Sequence, residues 1–194
     1  MTIAQPLPPE VVSARDGLLA FSEQEIKARH RQHEELLDDP RRRYQADGSL
    51  SPDVRELIRQ VRSSSADAGF YQMCVPEELG GGGLGHLAYY VAWEALFHDC
   101  GPQNWLMLYA LAHWAFGPSR LLEQMTATAR DKYLAGLMDG SASMCFALSE
   151  PNAGSDASMI STRAQKDGDG WRINGRKIWT SNAPIADYCI LFAV

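Results

Sequence analysis

Phe146-Ala147-Leu148-Ser149-Glu150-Pro151-Asn152-Ala153-Gly154-Ser155-Asp156 is the stretch on which the reading of this chain turns. An apolar run over residues 143–149 passes into a cluster of small and hydroxyl residues, the pattern of a strand that opens into a polar loop. Backbone N–H groups and hydroxyls in such a loop can hold an anionic ligand such as a pyrophosphate. An ordinary polar turn uses the same small residues, so this stretch alone leaves both readings open.

Downstream lies Asn174-Gly175-Arg176-Lys177-Ile178-Trp179-Thr180-Ser181-Asn182-Ala183. A tryptophan followed by hydroxyl residues can offer an aromatic face and hydrogen-bond donors to a flat heterocycle. It can equally be a strand with a core-packing Trp. Trp171 and Ile173 alternate with Arg172 and Asn174, which predicts a half-buried strand. Asn174-Gly175 is a tight-hairpin signal, because both residues tolerate positive φ. It predicts an antiparallel return over residues 177–180. Residues 162–166 are a further short strand candidate, and residues 188–194 read as a continuous apolar strand.

Upstream of this region the periodicity is helical. Pro6, Pro8 and Pro9 mark a loose leader. Residues 11–37 are compatible with a charge-rich helix that Asp38-Asp39-Pro40 stops, and residues 41–48 form a polar connection with three arginines. Ser51-Pro52 is a capped helix start. Val54, Leu57, Ile58 and Val61 then share one face, and Gly69 is a C-terminal stop. Residues 87–100 are apolar nearly all round, which predicts a helix in the middle of a bundle. Residues 104–116 read as a second such helix and 119–124 as a further one. Thr126 is placed to cap a helix over 127–138. About 140 helical residues followed by a run of strands make two domains in sequence and not an alternating βαβ pattern. The fold class is therefore α+β: an all-α helical bundle, then the first strands of a β domain. The expected divisions are 1–50 (leader and first helix), 51–142 (helical domain) and 143–194 (an incomplete β domain).

The chain has 194 residues, 45% hydrophobic and 22% charged, which suffices for one or two real cores. Its net charge of -6 lacks the basic footprint of a nucleic-acid binder. Cys74, Cys100, Cys145 and Cys189 are scattered without a CxxC pair. That argues against a zinc site or disulfide framework and fits a reducing cytoplasm. No secretory signal is visible in residues 1–9, and the longest apolar run, 105–116, is too short for a bilayer, which needs roughly 20 residues.

Taken together, the two quoted stretches resemble the acyl-CoA dehydrogenase family. Val75-Pro76-Glu77-Glu78-Leu79-Gly80-Gly81 is similar to that family's loop after its early helices, and Asp131-Lys132-Tyr133-Leu134 to its last helix before the β domain. The resemblance runs over residues 51–194. It implies a helical domain packed on a middle β-barrel, with a C-terminal helical bundle that residues 1–194 do not contain, and FAD as cofactor. Phe146, Leu148 and Ser149 would then meet the flavin ring region. Gly154 and Ser155 would lie by the FAD pyrophosphate, with Ser155 also near the CoA part of the substrate. Trp179, Thr180 and Ser181 would flank the flavin, with Ser181 near N5. Ser181 stands where threonine is common, Asn152 where glycine is frequent, and Met159 in place of a small residue.

The implied reaction is α,β-dehydrogenation of an acyl-CoA thioester: a glutamate takes the α-proton and the β-hydrogen leaves as hydride to the flavin. The base belongs to the family's C-terminal part, so no catalytic residue is assigned here, and Glu150 does not match its motif position. The chain ends inside an apolar strand, which leaves an unpaired edge. The expectation is a front portion of an oxidoreductase that alone is inactive and binds FAD poorly. The partners implied are an electron-transfer flavoprotein and further copies in a homodimer or homotetramer. An acyl-CoA oxidase or monooxygenase, or a non-catalytic helical interaction fragment, are the alternatives. The remaining candidates carry less chemistry. Gly80 to Gly83 lacks the Lys-Ser/Thr of a phosphate loop. His30 and His33 lack a carboxylate motif partner for a metal, and Ser155 is not in a Gly-x-Ser-x-Gly elbow.

Overall fold

The computed structural model describes residues 6–194; the first part of the proline-rich leader and of the segment read for a signal, residues 1–5, lies outside them. A helical run starts at Pro9. It comprises α1 (Pro9–Phe21), a π-helical stretch (Ser22–Lys27), α2 (Ala28–Gln32) and α3 (Glu34–Leu37). Asp39 ends the run and caps α4 (Pro40–Arg43), accepting a hydrogen bond from the Arg41 backbone N–H. The three arginines are thus a helical turn and not an open connection. Arg41 pairs with Asp39 and Arg42 with Glu35, while Arg43 lies over the rings of Tyr44 and Trp105.

Helix α5 (Pro52–Asp67) begins as its sequence predicts, with the Ser51 hydroxyl accepting from Val54 N–H and proline in the first turn. Its stripe of Val54, Leu57, Ile58 and Val61 is buried against Leu18, Ile26, Leu96, Leu106 and Met107. Helix α6 (Gly85–Cys100) packs along α1. Only Ala88, Ala92 and Leu96 of α6 are buried, whereas Leu87 is 51%, Tyr90 68% and Phe97 49% exposed. The expectation of a helix enclosed on all sides is therefore corrected. An all-apolar helix says that several faces can be buried, but which are buried depends on the elements beside it.

The second apolar helix expected over residues 104–116 is also corrected. A 3-10 turn (Trp105–Tyr109) gives way to bends. The Ser65 hydroxyl donates to the Ala110 carbonyl, and Ala112 N–H donates to the Tyr71 carbonyl at 2.8 Å. Both backbone groups are thereby taken out of an i→i−4 ladder. A 3-10 turn (Arg120–Gln124) follows, and then α7 (Ala127–Met138), capped by Thr126 as expected.

A second apolar cluster carries the packing into the strands: Ala66, Tyr71, Val75, Leu79, Leu122, Leu137, Ala142 and Met144. Strand β1 (Met144–Ala147) is covered on one side by this cluster. It pairs in parallel with β4 (Tyr188–Leu191), and β2 (Arg163–Asp167) pairs antiparallel with β3 (Gly170–Asn174). The hairpin is the β2–β3 turn, where Gly168 adopts φ +60°, and not Asn174-Gly175. Gly175 meets a different demand: a Cβ there would sit 2.3 Å from Thr162 Oγ1. The expected return strand over 177–180 is absent, and β3 is exposed along its length instead of half-buried. Among the described residues no helix is long and apolar enough to cross a membrane.

Burial separates two kinds of apolar residue on α6. Leu96→Ala is expected to lower unfolding free energy by about 2–5 kcal/mol, as large-to-small core changes do. Tyr90→Ala should stay within about 0.5 kcal/mol. Urea denaturation of both variants checks the assignment, and equal losses would contradict it.

Candidate functional site

The loop after β1 is built around one carboxylate. Glu150 is 5% exposed. Its Oε2 accepts from the Ser161 backbone N–H and hydroxyl, each at 2.7 Å. Its Oε1 accepts from Thr162 N–H at 2.9 Å, from the Thr162 hydroxyl, and from Lys177 Nζ at 2.8 Å. Both oxygens are saturated with donors, which is what makes a buried carboxylate tolerable. The Lys177 ammonium first, then the Thr162 hydroxyl and the Ser161 donors, hold its acidity well below the usual carboxylate range. Such a group is a poor proton acceptor at neutral pH and anchors structure instead.

Lys177 uses a second donor on the Leu148 carbonyl at 3.0 Å, and Ile178 N–H donates to the Ser149 carbonyl at 2.9 Å. The two stretches singled out in the sequence are thus joined directly. The first turns on itself by reciprocal backbone bonds between Glu150 and Ala153, at 2.9 and 3.1 Å. The second is kept out of a regular strand. Trp179 has φ +57° and Asn182 φ +69°, a region that bulky residues rarely occupy. Asn182 Nδ2 donates to the Met144 carbonyl at 3.0 Å, fixing this segment to β1. Trp179 is 87% exposed, the reverse of a core-packing tryptophan.

The eight residues expected at a ligand fall into three groups. Phe146 lies within β1, with its ring 4.8 Å from both Trp114 and Phe192. Leu148, Ser149, Trp179, Thr180 and Ser181 gather where Lys177 and Ile178 meet the end of β1. Gly154 and Ser155 are exposed on the far part of the loop, and no hydrogen bond links them to residues 176–181. A Cβ at Gly154 would meet nothing within 4 Å. The polar ties of this region run through Glu150, Ser161, Thr162, Lys177 and Asn182. The side-chain hydroxyls of Ser149, Ser155, Thr180 and Ser181 have no partner among the described residues. Free hydroxyls at Ser149, Thr180 and Ser181, close to the exposed Trp179, with Ser155 farther along the loop, can serve a ligand that combines a flat ring with a polar tail.

Sequence reading missed the residues that hold this arrangement. Ser161, Thr162 and Lys177 had no motif to mark them as partners of Glu150. Trp114, which meets Phe146, lay inside a segment read as helix. None of the eight expected residues lines either of two clefts among the described residues, although Trp114 borders the first and Asn182 the second. One of about 410 Å³ is lined by Tyr71, Cys74, Glu77, His86, Tyr89 and Trp114, and another by Arg43, Trp105, Tyr109 and Ile185. His30 Nε2 lies 2.9 Å from Asp38. His113 accepts from Ala115 N–H through Nδ1, and burial lowers its pKa.

Residues 9–141 match the family model for the acyl-CoA dehydrogenase N-terminal domain, and residues 145–194 match that for the middle domain. The short-chain specific acyl-CoA dehydrogenase of Bos taurus mitochondria is 38% identical over 154 residues, covering 76% of this chain and 37% of that protein. The caffeyl-CoA reductase-Etf complex subunit CarC of Acetobacterium woodii is 34% identical, covering 71% and 36%. Among solved structures, PigA with FAD and proline superposes with a TM-score of 0.62 at 25% identity, covering all of this chain and 45% of that one. The chain therefore spans less than half the length of these relatives.

Glu150→Gln is expected to lower the melting temperature at neutral pH, because it leaves Lys177 buried beside a neutral group. A carboxylate with a depressed folded pKa contributes stability above its ordinary value of about 4.5, and that contribution fades as pH falls below it. The gap between wild type and variant should therefore be full at pH 7 and shrink progressively below about 4.5. Melting curves across that range check it; a gap independent of pH would contradict the anchoring role.

Proposed function

The chain belongs to the acyl-CoA dehydrogenase family, and from that premise we propose that it forms the helical and flavin-contacting front part of an FAD-dependent dehydrogenase of acyl-CoA thioesters. The observation that carries the reading is the junction of Ser149 and Ile178, which brings an exposed, strained Trp179 and unpartnered hydroxyls to the end of β1. On this reading the helical domain ends after α7, at about residue 142, and the β domain begins with β1.

Trp179 would lie against the isoalloxazine ring, and Ser149, Thr180 and Ser181 would donate to its polar edge. Phe146, held between Trp114 and Phe192, would back the ring site. Gly154 and Ser155, exposed beyond the Glu150–Ala153 turn, would receive the diphosphate and the CoA portion of the substrate. FAD supplies the hydride-accepting chemistry when bound. What this chain supplies is orientation. The Glu150–Lys177 pair fixes the loop, so the hydroxyls and Trp179 need little reordering on binding, and preorganisation of this kind cuts the cost of association. FAD is supported by PigA, whose similar structure holds FAD, and an electron-transfer flavoprotein as electron acceptor by CarC, a subunit of a caffeyl-CoA reductase-Etf complex.

No glutamate of the site is assigned as the α-proton base. Glu150 is fully engaged by its five donors and held as a carboxylate. The chain covers 37% of the bovine relative's length. On this reading the base is supplied from outside residues 1–194.

Titration of FAD with the purified chain, followed by flavin fluorescence, should show weak quenching by wild type. Trp179→Ala should weaken binding by about 0.5–1.5 kcal/mol, roughly two- to tenfold. Unchanged affinity would remove Trp179 from the ring site. With FAD, an acyl-CoA and an acceptor dye, the chain alone should show no turnover. Robust dye reduction would place the base within residues 1–194.

A further inference from the structure

Strands β1 and β4 run in parallel with Cys145 opposite Cys189. Neighbouring strands are spaced about 4.8 Å apart, and opposed residues in register project to the same face. Disulfides span Cα separations of about 4.4–6.8 Å, so this pair can be bridged without moving the backbone. Both thiols are free and their settings differ: Cys145 is 4% exposed, whereas Cys189 is on the surface. Burial, and then the adjoining Cys189 thiol, push the Cys145 pKa up to about 11. Cys74 and Cys100 lie in the helical part, Cys100 with its sulfur 3.1 Å from the Ser22 hydroxyl.

We propose that Cys145 and Cys189 form a two-cysteine oxidation site, with a hydroperoxide as oxidant. Exposed Cys189 reacts first. Its sulfur attacks the peroxide, the O–O bond breaks, and Cys189 becomes a sulfenic acid as one water leaves. The Cys145 sulfur then displaces the sulfenic hydroxyl and gives up its proton; the S–O bond breaks, the S–S bond forms and a second water leaves. Two thiols lose two electrons and two protons, and one hydrogen peroxide becomes two waters. Cys145 is kept protonated and shielded until its neighbour is activated, so it acts as the resolving thiol. The bond would staple β4 to the strand that carries Phe146.

The purified chain is treated with hydrogen peroxide, alkylated and digested with trypsin. The expected product joins the peptides 133–163 and 178–194, lighter than their sum by two hydrogens. Dithiothreitol and Cys189→Ser should each abolish it, with Cys74 and Cys100 still alkylated. In Cys145→Ser, Cys189 should persist as a sulfenic acid that dimedone traps. Urea provides the unfolded reference, in which pairing follows separation along the chain, favouring Cys74 with Cys100, and not the register of β1 with β4. A native digest that matches the urea digest, a different dominant pair, or no dimedone adduct on Cys189 would each overturn the proposal.

Discussion

Burying the Glu150 carboxylate forces the rest of the site into place. A carboxylate taken out of water must recover its lost hydration from nearby donors. Here those donors come from two separated segments, Ser161-Thr162 just before β2 and Lys177 after β3, which close on the loop that carries Glu150 itself. Satisfying one side chain therefore fixes how three stretches of chain meet. Lys177 passes the constraint on, since it also holds the Leu148 carbonyl, and Ile178 alongside it closes on Ser149. The position of Trp179 follows from that closure.

This arrangement divides labour within a short motif. Glu150, the most acidic and best-connected member, stabilises the loop and has no spare capacity for proton transfer. The adjacent hydroxyl residues are uncommitted. Positive φ at Trp179 is a local cost that the surrounding bonds sustain, and strain of this kind gathers where a side chain must be presented.

The helical part shows the same distinction between what is intrinsic and what is imposed. Helices α5 and α7 begin where a side-chain oxygen can cap them, and those caps are local. The segment after Asn104 is equally apolar and yet does not continue as a helix. Ser65 and Tyr71 take two of its backbone groups, and they come from elsewhere in the chain.

The Ser51 and Thr126 caps and the helix-then-strand order were legible locally, and the two stretches that the family resemblance joined do meet. Legibility ended where partners are distant in sequence. Asn174-Gly175 looked like a hairpin, but Gly175 is needed because Thr162 leaves no room for a Cβ. The scattered cysteines suggested no pairing, yet parallel strands set Cys145 against Cys189. Caps and the change from helical to strand periodicity depend on neighbours a few residues away and are written into the sequence. Which face of α6 is covered, which donors reach Glu150 and which thiols meet depend on how the elements pack, and only the tertiary structure decides that.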